Sequence, residues 1–278
     1  MNIVWNGTLK KMRVEAADPV RYHLTDGWFE KDKRVADHLL NPHLGSALEL
    51  RFTGEINCIA CGQKTKKTFG QGFCFPCTRS RAEADICIVK PELCHHGEKD
   101  NPCRDESFAQ EVCFHPHYLY CSLTSGVKIG ITRKVNIPSR WIDQGAVAAV
   151  PLALLPSRRA VGEVEKRLSN EGFKDKTHWT RMLKGNPEDR DLMEVAEQVV
   201  SRLEEWGTEG ILSPLERLEH RFEYPVLEWP EKVTSLNLDK NPVAGGILKG
   251  IKAQYLIFDS GVINLRKYSG YRVEVWGG

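Results

Sequence analysis

The apolar and polar positions along the chain change their period several times, and each change marks a different element. Residues 1–57 carry short, loosely alternating runs such as Ala47 to Phe52 (ALELRF). Asn41-Pro42 and Gly54 punctuate them, and together they predict an N-terminal β region. From Cys58 to about residue 116 the apolar period disappears, and Gly, Pro and Cys interrupt a polar segment. Alternation returns in YLYCSL (118–123) and VKIGIT (127–132), separated by Thr124-Ser125-Gly126, which predicts a hairpin. Its period of two sends Leu119, Cys121 and Leu123 to one face with Val127, Ile129 and Ile131, so Cys121 reads as core. Tyr118, Tyr120, Ser122 and Lys128 take the other face. Two helical patterns follow, one from Pro156 to about Asn170 with Leu155, Val161, Val164 and Leu168 in step, the other from Pro187 to about Trp206. From Tyr224 onward VTSLNL, ILKGIKAQYLIF and GVINLRKY read as strands and predict a small barrel or sandwich.

Composition adds bounds. The 278 residues, 41% of them hydrophobic, suffice for two or three domains with packed cores. No apolar run reaches the length of a membrane span, and the first twenty residues have no signal-peptide pattern, so the expectation is a soluble cytoplasmic protein without a membrane partner. A net charge of +2, from 39 basic and 37 acidic residues, selects no class of partner. In a reducing compartment the nine cysteines read as metal ligands rather than as a disulfide framework.

Cys58 and Cys61 form one CxxC, Cys74 and Cys77 another, with twelve residues between them. Two tight knuckles at that spacing offer four thiolates to one zinc ion. With every position filled by protein, the site is structural, and the metal stands in for a core that so polar a segment lacks. Cys87, Cys94, Cys103 and Cys113 form a second, more loosely spaced set for a second zinc, with His95, His96, His115 and His117 as possible replacements. Between the first knuckles, Lys64, Lys66 and Lys67 suit phosphate contacts, and Phe69, Phe73 and Phe75 suit base stacking. A solvated basic loop whose phenylalanines cover the metal is the competing reading.

The polar face of the hairpin brings Tyr120 and Lys128 together, and Arg140 follows just after Pro138; a tyrosine, a lysine and an arginine without nearby acids suggest a phosphate site. YLYCSLTSGVKIGIT followed by RW resembles the core of the GIY-YIG nucleases, with YLY in place of GIY and KIG in place of YIG. That resemblance, over about 65 residues, implies a ββα core in which Tyr120 orients or deprotonates the attacking water and Arg140 stabilises the phosphate. It also implies that Glu165, in VEKRL, holds magnesium or manganese, with Glu163 as the weaker candidate. Lys128 departs from the family's second tyrosine, and could act as a base only with a lowered pKa. The whole chain, through the CxxC block, RWIDQGA, SLNLDK and GVINLRK, also resembles a bacterial domain of unknown function. Within RWIDQGA, Trp141 reads as a core anchor, and Asp143 or Gln144 as a ligand contact or a helix cap.

The resulting expectation is an α+β protein: a β region at 1–57, a zinc-binding module with its ribbon at 58–116, a GIY-YIG-like core at 117–210 and a C-terminal β unit at 211–278. Its partner is DNA or RNA, with Arg133 joining Lys64, Lys66 and Lys67 as contacts. Three functions stay open: a metal-dependent nuclease, a nucleic-acid-binding module without cleavage, and a zinc-stabilised protein-interaction adaptor.

Overall fold

The computed structural model describes residues 1–27 and 36–278; the part of the expected N-terminal β region at 28–35 lies outside the described residues. In chain order the strands are β1 (Asn2–Thr8), β2 (Arg13–Glu15), β3 (Arg21–Leu24), β4 (His38–Leu39), β5 (Ala47–Ile56), β6 (His117–Leu123), β7 (Val127–Arg133), β8 (Ala148–Leu155), β9 (His220–Arg221), β10 (Val243–Lys252), β11 (Tyr255–Phe258), β12 (Gly261–Asn264) and β13 (Tyr271–Gly277). The helices are α1 (Phe75–Ser80), α2 (Glu106–Phe108), α3 (Ser139–Asp143), α4 (Arg158–Asn170), α5 (Trp179–Met182) and α6 (Leu192–Glu205). The architecture is mixed α+β with antiparallel sheets.

Two compact units divide the chain, Met1–Ser80 with Glu223–Gly278, and Arg81–Phe222. The boundary at Ser80 runs through the segment expected as one zinc-binding module. In the first unit the strands run in the order β1-β13-β5-β10-β11-β12, and β2-β3-β4 form a smaller sheet among the described residues. In place of the expected small barrel or sandwich, the C-terminal strands join one six-stranded sheet in which β13 and β10 pair with the N-terminal strand β5. VTSLNL is not a strand either; it contributes one isolated bridge, Ser235 to Val262. Lys252 of β10 is buried, its ammonium 4.9 Å from the ring centre of Tyr224 and 5.1 Å from that of Trp229.

The second unit is built on the expected hairpin, β6 with β7, in full register from His117–Arg133 to Leu123–Val127. Strand β8 joins the other edge of β6, giving the order β7-β6-β8-β9. The hairpin-plus-helices reading lacked β8. AVAAVPLALL is a continuous apolar run with a proline inside it, which periodicity cannot assign to strand or helix. Both faces of β6 are covered. Leu119, Cys121, Val127 and Ile129 pack with Val161 and Leu168 of α4 and with Val195, Val199 and Leu203 of α6. On the opposite face Tyr120 meets Trp141, Ala146 and Ala149, with Ile137 and Phe222 against them.

Local signals set the helix starts. The Ser157 hydroxyl caps α4 by accepting from the Ala160 N–H, one residue after the proline that the pattern named. Helix α6 begins at Leu192 rather than near Pro187, because the Asp191 carboxylate caps the N–H groups of Met193 and Glu194 while the Glu188 N–H is bonded to the Ser125 carbonyl. Trp141, read as a core anchor, is fully buried, with ring contacts to Tyr120, His220 and Phe222. Trp141→Ala is expected to cost about 3–5 kcal/mol in the second unit, read by chemical denaturation.

Candidate functional site

The first cluster is the ribbon that follows β5. Ligand atoms of Cys58, Cys61, Cys74 and Cys77 all lie within 4.8 Å of one another, and the Cys61 and Cys74 sulfurs are 3.8 Å apart. Four sulfurs placed tetrahedrally at about 2.3 Å from a zinc ion stand about 3.8 Å from each other, so the tetrad fits this metal. Gly62, at φ +72, makes the reversal after the first knuckle. The N–H groups of Ala60 and Cys74 point at the Cys58 sulfur from 3.4 and 3.2 Å. Burial raises the Cys58 thiol, but these N–H groups and that of Cys61 outweigh it and bring the pKa down to about 7; Cys77 is pushed up to about 12 by burial and by the neighbouring thiols. A thiolate already supported by backbone donors, crowded by three more sulfurs, is the donor set a divalent soft cation satisfies.

Lys64, Lys66 and Lys67 are exposed on the loop between the knuckles. Phe75 is 57% exposed, 5.7 Å from Phe69 between ring centres, with Arg79 over its face and Lys67 over that of Phe69. Phe73, expected to be available for stacking, is buried under the ribbon.

The second cluster lies in the other unit and gathers Tyr120, Lys128, Arg140 and Glu165. Tyr120 is buried on the central strand, and a register shift against β8 falls at this residue. Its ring lies so close over Gly130 of β7 that a Cβ there would come within 2.7 Å of it, which is why glycine follows Ile129 in KIG. The Tyr120 hydroxyl donates to Gln144 Oε1 at 2.9 Å, and the Arg140 charge lies near enough to oppose part of the effect of burial on its pKa. Burial raises the Tyr120 pKa, and its hydroxyl hydrogen is directed at Gln144.

Lys128 is brought down to about 8, first by burial and then by the Arg140 charge. Glu165, on the face of α4 turned toward these cations, is pushed up to about 7 by burial and by the nearby Asp175. Glu163, the weaker candidate, is on the solvent side of α4, in an ion pair with Arg159 at 2.9 Å. Asp175 arrives because the Lys174 carbonyl accepts from the Ile129 N–H at 2.8 Å, laying the loop after α4 along the free edge of β7. Beside it, Lys128, Lys174, Arg190 and Gln198 line an open cavity of about 260 Å³.

The perturbed carboxyl has a consequence for stability. The Glu165 pKa is raised on folding, so no penalty applies below about pH 4.5, and folded-state stability falls as pH rises through 7. In a buffer free of divalent ions at pH 8, Glu165→Gln is therefore expected to stabilise the second unit. The amount is roughly 3 kcal/mol, at about 1.4 kcal/mol per pH unit, and the gain should vanish at pH 4 in urea unfolding.

The four residues expected at the phosphate site thus come together, and so do the four ribbon cysteines. Cys87, Cys94, Cys103 and Cys113 line one small cavity, although they do not form a group with all sulfurs within 4.8 Å. Asp85, Cys87 and His95 do form such a group, which the cysteine count did not suggest. Arg133 lines a separate cavity of about 270 Å³ with His115 and Lys134. Sequence reasoning missed Asp175, Lys174 and Arg190; of these only FKDK, just past the end of α4, offered a signal. Gln144 was named, without its role of accepting the Tyr120 hydrogen bond.

No helix among the described residues is long and apolar enough to cross a membrane. A family model described as "Protein of unknown function (DUF2797)" matches residues 45–273, from just before β5 into β13, and so takes in both clusters. No curated protein and no solved structure matches the chain.

Proposed function

We propose that this chain, which belongs to the DUF2797 family of proteins of unknown function, is a zinc-stabilised nucleic-acid-binding protein whose second unit cleaves phosphodiester bonds. The observation that carries the reading is the convergence of Lys128, Arg140 and Glu165 around a buried tyrosine, with the lysine lowered to about 8 and the carboxyl raised to about 7. A buried cation lowered and a neighbouring carboxyl raised are the arrangement that acid–base sites use.

Each side chain has a role in that reaction. Arg140, near the Tyr120 hydroxyl, meets the non-bridging oxygens of the scissile phosphate and balances the charge that grows there. Neutral Lys128 takes the proton of the attacking water. Glu165 and Asp175 are two carboxylates close enough to repel, which fits an oxygen-ligated divalent cation. Magnesium or manganese held there would polarise the phosphate and the leaving oxygen as a Lewis acid. Lys174 and Arg190, along the cavity wall, suit the flanking phosphates, and the ribbon's Lys64, Lys66, Lys67 and Phe75 suit a single strand.

The experiment is cleavage of labelled single-stranded, duplex and branched DNA and RNA with magnesium or manganese, comparing native protein with Glu165→Gln. Cleavage lost in the variant supports the reading, and intact substrates throughout overturn it. The rate should rise with pH through 7 and 8, as Glu165 ionises and Lys128 loses its proton, and Lys128→Arg should abolish cleavage across that window. A second reading, binding without cleavage, is favoured by one observation: the Tyr120 hydroxyl is sealed in the core with Gln144. It is identified by salt-sensitive binding of the same probes with no product.

A further inference from the structure

Residues 81–116 contain only short helical turns and no strand. Their larger apolar side chains do not make a core: Ile86 is 52% exposed, Val89 75%, Leu93 49% and Phe114 38%. A segment of this kind leaves its chain entropy uncompensated unless something other than apolar burial fixes it. What it encloses instead is sulfur. Cys87, Cys94, Cys103 and Cys113, drawn from separate turns, line a single cavity of about 20 Å³ together with Asp85, His96 and the apolar Ala82, Phe108, Ala109 and Phe114.

We propose that this cavity is a second zinc site, with Cys87, Cys94, Cys103 and Cys113 as its four thiolate ligands. The enclosed space is about that of one small bound species, and its lining offers sulfur donors from four points, the set that selects zinc over hard cations. The neighbouring polar groups are already engaged. The Asp85 carboxylate accepts from Arg104 Nε at 2.7 Å and lies 3.3 Å from His95 Nε2. His95 Nδ1 is 2.8 Å from the Asn101 carbonyl oxygen. This network frames the cavity and offers the zinc a charged second layer.

The site also has something to hold. The turn at 86–94 is clamped onto α4: Pro91 packs against Gly162, where any Cβ would collide with it, and the Arg158 guanidinium donates to the Ile88 carbonyl. Metal in the cavity therefore fixes the turn that braces the first half of the helix carrying Glu165.

The test is metal content of the full-length protein purified with zinc supplied, together with the absorption of the cobalt-substituted form. Two zinc ions per chain, falling to one in Cys103→Ser, and thiolate-to-cobalt charge-transfer bands of double intensity relative to that variant, are expected. One zinc per chain in the native protein, unchanged by Cys103→Ser, overturns the proposal. So does a second zinc that survives Cys103→Ser but is lost in His95→Ala, which would assign it to Asp85, Cys87 and His95. Where Cys103→Ser fails to fold, the cobalt spectrum of the native chain decides: tetrahedral four-sulfur bands for both ions support the site, and bands for one ion alone refute it.

Discussion

Cys74→Ser is expected to release the ribbon zinc and to unfold residues 58–77, a larger effect than the loss of any one core side chain. The ribbon has almost no apolar interior; Phe73 and three of the four sulfurs are its buried groups. Zinc binding to comparable small modules is worth about 10–16 kcal/mol at neutral pH, and that free energy is folding free energy when the apo segment has no core. Cys74 is also the residue whose N–H supports the Cys58 thiolate and whose sulfur is 3.8 Å from Cys61, so its replacement weakens the remaining three ligands as well. Metal analysis should show one zinc fewer per chain, and limited proteolysis should open the chain between Cys58 and Cys77. Chelation of the native protein should reproduce both results. Cys121→Ser, in contrast, should leave metal content unchanged, because Cys121 is packed among Leu119, Ile129 and Val150 in the other unit.

On the proposed nuclease reading, Arg140→Ala is expected to lower phosphodiester cleavage roughly a thousand-fold while changing substrate affinity only a few-fold. The guanidinium stands near a fully buried hydroxyl whose own hydrogen is directed at Gln144, so its surroundings are ordered before substrate arrives. Its charge matters most when the phosphate gains negative charge, which is why the loss should appear in the rate of single-turnover cleavage rather than in binding. Arg140→Lys should recover only part of the rate, since an ammonium cannot bond two phosphate oxygens in one plane. Equal loss of binding and cleavage would move Arg140 from the reaction to general phosphate attraction.

Much of both clusters was legible because it is written in local spacing. A CxxC fixes a knuckle within four residues, and a period of two fixes which side chains of a hairpin share a face. Hence the ribbon tetrad and the shared hairpin face of Tyr120 and Lys128 follow from the sequence, as do the start of α4 close after Pro156 and the core position of Cys121. Glu165 could be preferred over Glu163 only by likeness to another family; the structure separates them by turning one toward the cations and the other to Arg159.

What the sequence by itself determined was therefore the faces, turns and metal knuckles, each set by residues a few positions apart. The tertiary structure alone decided that β5 receives β10 and β13, that the proline-bearing run at 148–155 is a strand beside β6, and that Asp175 stands by Glu165. It also decided that four loosely spaced cysteines share one cavity. These depend on contacts between distant segments, where the selecting force is the closing of a whole core and its hydrogen bonds, and no short-range period records which segment will supply the partner.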